Sequence, residues 1–248
     1  MTMAQNDILT DARPTRIGMI VPSSNTCLEP MTYRLLEGRD DVTVHSARIP
    51  VTRIALDAGS DQQFDAAGMR AAAELLATAD VDVIAWNGTS GSWLGIEHDR
   101  AIADEITRAT GIPATTSTLA YFAAFERFGI GDIGLLTPYT QDVNDQVVAR
   151  YAAEGITVGG QHALGLSDNE SFGRVRPEAL VDPSIALAEG RPDALVYLCT
   201  NLYGAPITEE VERRTGVPVL DSVAVTLWHC LDIAGSALLD PRWGRLLG

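Results

Sequence analysis

The sequence predicts an α/β fold made of two similar duplicated halves with mainly parallel sheets. The halves should stand in a pseudo-twofold arrangement, with the active site in the cleft between them. Three observations predict this. Short apolar runs alternate with longer amphipathic segments along the whole chain. Three sequence blocks recur in the same order. The loops that end the recurring apolar runs are rich in hydroxyls, amides and glycines, as ligand-facing loops of such sheets are.

The strand candidates are IGMIV (17–21), VTVHSARI (42–49), DVIAW (82–86) and the segment Pro113–Thr116. In the second half they are IGLLT (133–137), TVGGQHAL (157–164), ALVYL (194–198) and VPVLD (217–221). Runs this short, β-branched and apolar suit strands covered on both faces. Helices are predicted over 26–37, 62–79, 97–110, 118–128, 142–154, 177–189, 206–215 and 223–234. In the 62–79 segment Phe64, Ala67, Met69, Leu75 and Leu76 supply the apolar side, and Asp61, Gln62, Gln63 and Asp65 make a polar first turn.

The repeat fixes the division of the chain. IGMIVPSSN (17–25) matches IGLLTPYTQDVN (133–144), and VDVIAWNGTSG (81–91) matches PDALVYLCTNLYG (192–204). RATGIPATTSTLAYFAAFERFG (108–129) matches RRTGVPVLDSVAVTLWHCLDIAG (213–235). Residues 1–16 are read as a disordered leader, 17–130 as the first half and 131–248 as the second, with room for the chain end to pack back on the first.

Composition excludes several functions. At 46% apolar, the 248 residues can bury a substantial core. The net charge of −15 and the lack of a basic stripe argue against nucleic acid as a partner. No apolar stretch has the length of a membrane span, and the N-terminal residues carry no apolar signal core, so a cytoplasmic protein is expected. All 18 basic residues are arginine, which removes lysine Schiff-base chemistry and a lysine-bearing phosphate loop. The four histidines and three cysteines lack metal-ligand spacing. No cofactor and no metal are expected; a homo-oligomer is left open.

Four loops should meet at the cleft: PSSN (22–25), NGTSGS (87–92), TPYTQDVN (137–144) and CTNLYG (199–204). Each precedes a helix, whose first N–H groups favour anions. Gly88 and Gly91 allow close backbone approach, and Thr89, Ser90, Tyr139 and Thr200 add hydroxyls. The pattern suits a carboxylate held without lysine or metal. Read singly, these hydroxyls are helix caps and Cys199 is a small buried hydrophobe. Read together, they make a site. Cys199 follows a strand and precedes a helix, where a thiol pKa falls. Cys27 and Cys230, inside predicted helices, are read as structural.

These motifs resemble the aspartate/glutamate racemase superfamily, and within it the arylmalonate decarboxylase and maleate cis-trans isomerase branches. The resemblance runs from Ile17 to the RWGRLLG tail and is most specific at IGMIVP, GTSGS, TPYTQDVN, CTNLYG and RRTGVPV. It implies a cofactor-independent enzyme acting on a small dicarboxylate. Racemases and isomerases of the superfamily use one cysteine in each half; by position these fall at Gly88 and Cys199. The decarboxylase branch has GTS in the first loop and one cysteine in the second, as here with Gly88, Thr89 and Ser90, and its other functional positions match Tyr139 and Cys199.

The resemblance thus implies Cys199, Tyr139, Thr89 and Ser90 as catalytic. Asn25, Ser23, Gly88, Thr200, Asn169 and Arg53 are the substrate-binding candidates. Asn25 and Asn169 look like the isomerase branch, where asparagines hold a carboxylate, and Thr200 replaces a glycine. Arg48 and Arg53 stand where an aryl pocket would be apolar; Arg53 either clamps a second carboxylate or pairs on the surface. The expected reaction is decarboxylation of a malonate-like diacid through an enediolate, protonated from one side by Cys199 because position 88 is empty. The alternatives are an isomerase or racemase with an altered first thiol, and an inactive carboxylate-binding protein, which a thiol pKa at or above about 8.5 would favour.

Overall fold

The computed structural model describes residues 13–51 and 66–248. The first half contributes β1 (Thr15–Pro22), α1 (Leu28–Leu35), β2 (Val42–Ile49), α2 (Ala66–Ala77), β3 (Val83–Trp86), α3 (Gly91–Leu94), α4 (Ile96–Thr110), β4 (Ala114–Thr116) and α5 (Ser117–Phe128). The second contributes β5 (Asp132–Thr137), α6 (Gln141–Ala153), β6 (Thr157–Ala163), α7 (Asn169–Phe172), α8 (Val181–Ala188), β7 (Ala194–Tyr197), α9 (Thr208–Thr215), β8 (Val219–Asp221) and α10 (Ser222–Ile233). The strands form two four-stranded sheets, ordered β2-β1-β3-β4 and β6-β5-β7-β8. Every pairing among them is parallel. The predicted duplication therefore appears as one topology made twice.

The eight strand candidates all form strands. One boundary is corrected: β1 begins at Thr15, so residues 13–16 are ordered rather than part of a leader. Arg13 pairs with Asp82 at 2.6 Å, and the Thr15 N–H donates to the Asp41 carbonyl at 2.8 Å, extending the ladder toward the N-terminus. Residues 1–12, and the start of the 62–79 helix with Phe64, lie outside the described residues. α1 is two residues shorter than predicted at each end. Two later helices are shorter because each opens as a 3₁₀ turn, at Pro177–Leu180 before α8 and at Ala205–Ile207 before α9. In each case a proline sits in the first turn, where its missing N–H leaves no helical bond unmade.

The matching TG dipeptides of the repeat have one local cause. α4 and α9 both stop at a glycine in the left-handed region, Gly111 at φ 73° and Gly216 at φ 73°. Each glycine N–H returns to the carbonyl four residues back, and the chain turns directly into β4 or β8.

The two halves share one core. α5 and α10 pack on each other, with the Phe128 and Trp228 rings 5.5 Å apart. Buried polar groups cross the same interface. Tyr121 on α5 donates to the Tyr197 carbonyl at 2.7 Å and meets Ser222 Oγ at 2.9 Å. Tyr151 on α6 meets Ser92 Oγ at 3.0 Å. Buried hydroxyls this well partnered fix the register of one half against the other. The chain end packs back on the first half: Arg39 donates to the Ala237 and Leu238 carbonyls, and the Arg34 guanidinium lies over Trp243 at 5.6 Å. No helix among the described residues is long and apolar enough to cross a membrane.

Candidate active site

The ends of β1, β3, β5 and β7 bring the four predicted loops together. They line a narrow cleft with about 30 Å³ of free space. Eight of the ten candidate residues line it: Asn25, Gly88, Thr89, Ser90, Tyr139, Asn169, Cys199 and Thr200. Pro22, Val51, Trp86 and Trp93 complete the wall among the described residues. None of these twelve side chains is charged, so they offer a bound anion neutral donors.

Two candidates do not join them. Ser23 does not line the cleft in this structure; its Oγ accepts from the Val51 N–H at 3.1 Å. Its neighbour Ser24 accepts from Asn169 Nδ2 at 2.7 Å. Arg53 lies outside the described residues. Arg48 fastens the PSSN loop from behind, donating to the Ser23 carbonyl at 3.0 Å and the Asn25 carbonyl at 2.7 Å and pairing with Glu29.

The donors divide into two groups. In one, Tyr139 OH lies 2.9 Å from Thr89 Oγ1 and also hydrogen-bonds to the Cys199 thiol. Its ring is held edge-on between Trp93 and Phe172, at 5.4 Å and 5.5 Å. Ser90 Oγ is buried in the cleft wall with no partner among the described residues. The alternative reading of Ser90 as a helix cap is not the one observed: it precedes α3 but makes no side-chain cap bond.

The second group is already self-satisfied. Asn25 Oδ1 caps α1 by accepting from the Cys27 and Leu28 N–H groups at 3.0 and 2.8 Å. Its amide donates to Thr200 Oγ1 at 3.1 Å, and Thr200 passes its own proton to the Asn87 carbonyl at 2.9 Å. Thr200 is thus a tie between the halves more than a free donor.

Asn201 is the residue that sequence reasoning missed. Its Oδ1 accepts from the Thr26 and Cys27 N–H groups, its Nδ2 donates to the Asn169 carbonyl, and its own N–H donates to Cys199 Sγ at 3.3 Å. It ties three loops and the sulfur together. The signal was its place two residues after Cys199, inside the CTNLYG motif.

Cys199 is the thiol that lines the cleft; Cys27 and Cys230 are fully buried elsewhere. The expected fall in its pKa is corrected. Burial pushes the thiol up to about 12, against the lowering hydrogen bonds from Tyr139 and the Asn201 N–H. Desolvation outweighs them, and the charge of Asp221 adds a smaller raising effect. The emptiness of position 88 is corrected as well. A Cβ on Gly88 would collide with Trp86 Cε2 and stand 2.5 Å from Cζ2 and Nε1, so the space is filled by the indole.

Beneath the loops lie two buried carboxyls, one per half. Asp99 accepts from Thr116 Oγ1 at 2.5 Å, and a Cβ on Gly91 would sit 2.5 Å from its Oδ1. Asp221 caps α10 through the Val223 and Ala224 N–H groups, and a Cβ on Gly204 would sit 2.7 Å from its Oδ2. Burial raises both from 3.8 to about 7, against lowering hydrogen bonds from Thr116, Thr118 and Gly91 in one case and four backbone N–H groups in the other.

Raised carboxyls stabilise the fold most below the unfolded pKa, and that stabilisation is lost as pH rises through the folded value. Urea unfolding is therefore expected to show stability falling between about pH 4 and pH 7 by an amount on the order of a few kcal/mol. In Asp99→Asn the fall should be shallower; an identical slope would remove Asp99 as its source.

Two parallel-sheet halves closing on a cleft with a thiol and hydroxyl donors define an enzyme scaffold of the Asp/Glu racemase-like kind. A family profile described as arylmalonate decarboxylase matches residues 17–247. The chain belongs to that family. It is 33% identical over 168 residues to arylmalonate decarboxylase of Bordetella bronchiseptica, covering 66% of this chain and 70% of the relative. It is 28% identical over 250 residues to maleate isomerase of Geobacillus stearothermophilus, covering 95% of this chain and 98% of that protein. The crystal structure of a Pseudomonas putida maleate isomerase superposes with a TM-score of 0.87 at 26% identity, covering 95% of this chain and 98% of the other. Decarboxylase and isomerase are thus both among its relatives, and both are enzymes of small dicarboxylates.

Proposed function

We propose that this protein is a cofactor-independent decarboxylase of a malonate-like dicarboxylate. The observation that carries this reading is the single thiol. Of the three cysteines, Cys199 lines the cleft, and the equivalent first-half position is Gly88 with an indole against it. Proton exchange between two bases needs an acid/base group on each side of the carbon. Isomerisation through a thiol adduct needs a first-half nucleophile. A decarboxylase needs one proton, delivered once.

In this mechanism one substrate carboxylate binds Ser90 Oγ and the Thr89–Tyr139 hydroxyl pair. The other carboxylate lies toward the self-satisfied and apolar part of the wall, where its charge is poorly solvated. Its C–C bond breaks, CO₂ departs, and the bonding pair spreads into an enediolate on the retained carboxylate. Neutral donors placed in advance stabilise that growing charge, each worth about 3–4 kcal/mol by mutation. Cys199 S–H then transfers its proton to the carbon, and water returns a proton to the thiolate. A thiol held near 12 keeps its proton at neutral pH, as a donor must and a nucleophile must not. The high value is the one expected of the binding-protein alternative, and turnover of a malonate is the observation that separates the two.

Asn25 and Asn169 in the wall favour an isomerase-like second reading, since amides there can hold a second carboxylate. Against it, their hydrogen-bonding groups are engaged with Thr200, Ser24 and Asn201. The two readings part in one experiment: incubating α-substituted malonates and maleate in D₂O and following the proton NMR spectrum. The expected result is a monocarboxylate carrying one deuterium at the α-carbon, with maleate unchanged. Fumarate formed without release of CO₂ would reverse the assignment.

A further inference from the structure

We infer that Trp86 is the specificity-determining residue of the first-half face, filling the volume a side chain at position 88 would need and closing that side to a second proton carrier. This rests on the proposed decarboxylase reading for its consequence in the reaction, and on geometry alone for its premise.

The premise follows from strand periodicity. Trp86 ends β3 and Gly88 comes two residues later, so both project to the same side of the chain. Both line the cleft. Three indole atoms lie within 2.5 Å of where a Cβ on Gly88 would stand, a separation that real Cβ atoms do not tolerate. The ring cannot easily yield. Trp86 is fully buried and belongs to a compact cluster with Ile20, Ile49, Val51 and Ile106. Interiors packed to this density resist rotation of a large planar ring.

Glycine at 88 is therefore required by Trp86, and the pair acts as one unit. The indole offers no titratable proton, and its bulk keeps water off that side of the reacting carbon. One-handed protonation follows from a wall, where the sequence alone implied a gap. The same wall limits the substrate: the group presented to the first-half face must be flat or no larger than hydrogen, because a tetrahedral branch there meets the ring.

The test is a two-by-two series. Gly88→Ala is made in the wild type and in Trp86→Leu, with Trp86→Phe as a second background should the leucine variant fold poorly. Thermal unfolding of all four proteins reads the geometry without any substrate. Gly88→Ala should lower Tm by roughly 5 °C in the wild type and by much less in the Trp86→Leu background. Equal losses in both backgrounds would overturn the premise.

The catalytic consequence is read separately by placing Gly88→Cys in the same backgrounds. Beside Trp86 the new thiol should give little or no α-exchange of the product in D₂O. In the Trp86→Leu or Trp86→Phe background it should give exchange and loss of product handedness. Equal exchange in every background would overturn the role of Trp86. If no malonate is turned over by the wild type, the decarboxylase reading falls while the Tm series still decides the packing claim.

Discussion

Cys199→Ala should fold as the wild type does and release no monocarboxylate from any malonate that the wild type decarboxylates. The substitution removes one sulfur from a site bordered by the cleft, so little packing is lost. The chemical loss is large. General-acid catalysis contributes about 10²–10⁴-fold, and with Cys27 and Cys230 buried elsewhere no other thiol lines the cleft to replace it. Proton NMR of product formation, with circular dichroism and Tm as controls for folding, measures both parts. A variant that keeps even a tenth of the wild-type rate would remove Cys199 from the mechanism. Because burial lifts the thiol to about 12, the wild-type rate should show no decline through cysteine titration across the neutral range.

Tyr139→Phe is expected to lower kcat by roughly 10–100-fold with a smaller effect on KM, the pattern of a donor that strengthens toward the transition state. The ring would stay wedged between Trp93 and Phe172, so the change is confined to one hydroxyl. That hydroxyl touches both Thr89 and the Cys199 thiol. Burial holds its own pKa well above the ordinary tyrosine value, so it acts as a neutral donor throughout. Its removal also withdraws a hydrogen bond that lowers the thiol pKa, moving the thiol higher still. Steady-state kinetics on the best malonate decides the matter; an unchanged kcat would make Tyr139 a packing residue.

Much of the fold was legible because a parallel α/β chain writes its layers into simple patterns. Ile133–Thr137 and Ala194–Tyr197 are short, apolar and buried throughout, and each ends in a turn. The repeated TG dipeptides marked two helix ends because only glycine fits the left-handed caps at 111 and 216 easily. The start of β1 was misread because Thr15 and Arg16 look like loop residues. What makes them strand is hydrogen bonding to Asp41 and Asp82, distant in sequence.

The site was legible by motif but not by energetics. Loop positions after β1, β3, β5 and β7 follow from topology, so eight candidates reached the cleft. Which hydroxyl remains free does not follow. Ser90, Thr200 and Asn25 look equivalent as letters. In three dimensions Ser90 has an open oxygen among the described residues, whereas Thr200 and Asn25 spend theirs on each other and on the backbone.

The sequence by itself determined the doubled parallel architecture, the loops that meet, and the presence of one thiol among those loops. Those properties are set by residue order and period. Only the tertiary structure decided that burial raises the pKa of the thiol, that Asn201 binds three loops together, and that Trp86 fills the space beside Gly88. Each of these depends on which groups are brought near one another and how far water is driven out. Distance and desolvation are properties of the packed chain, and no single stretch of residues contains them.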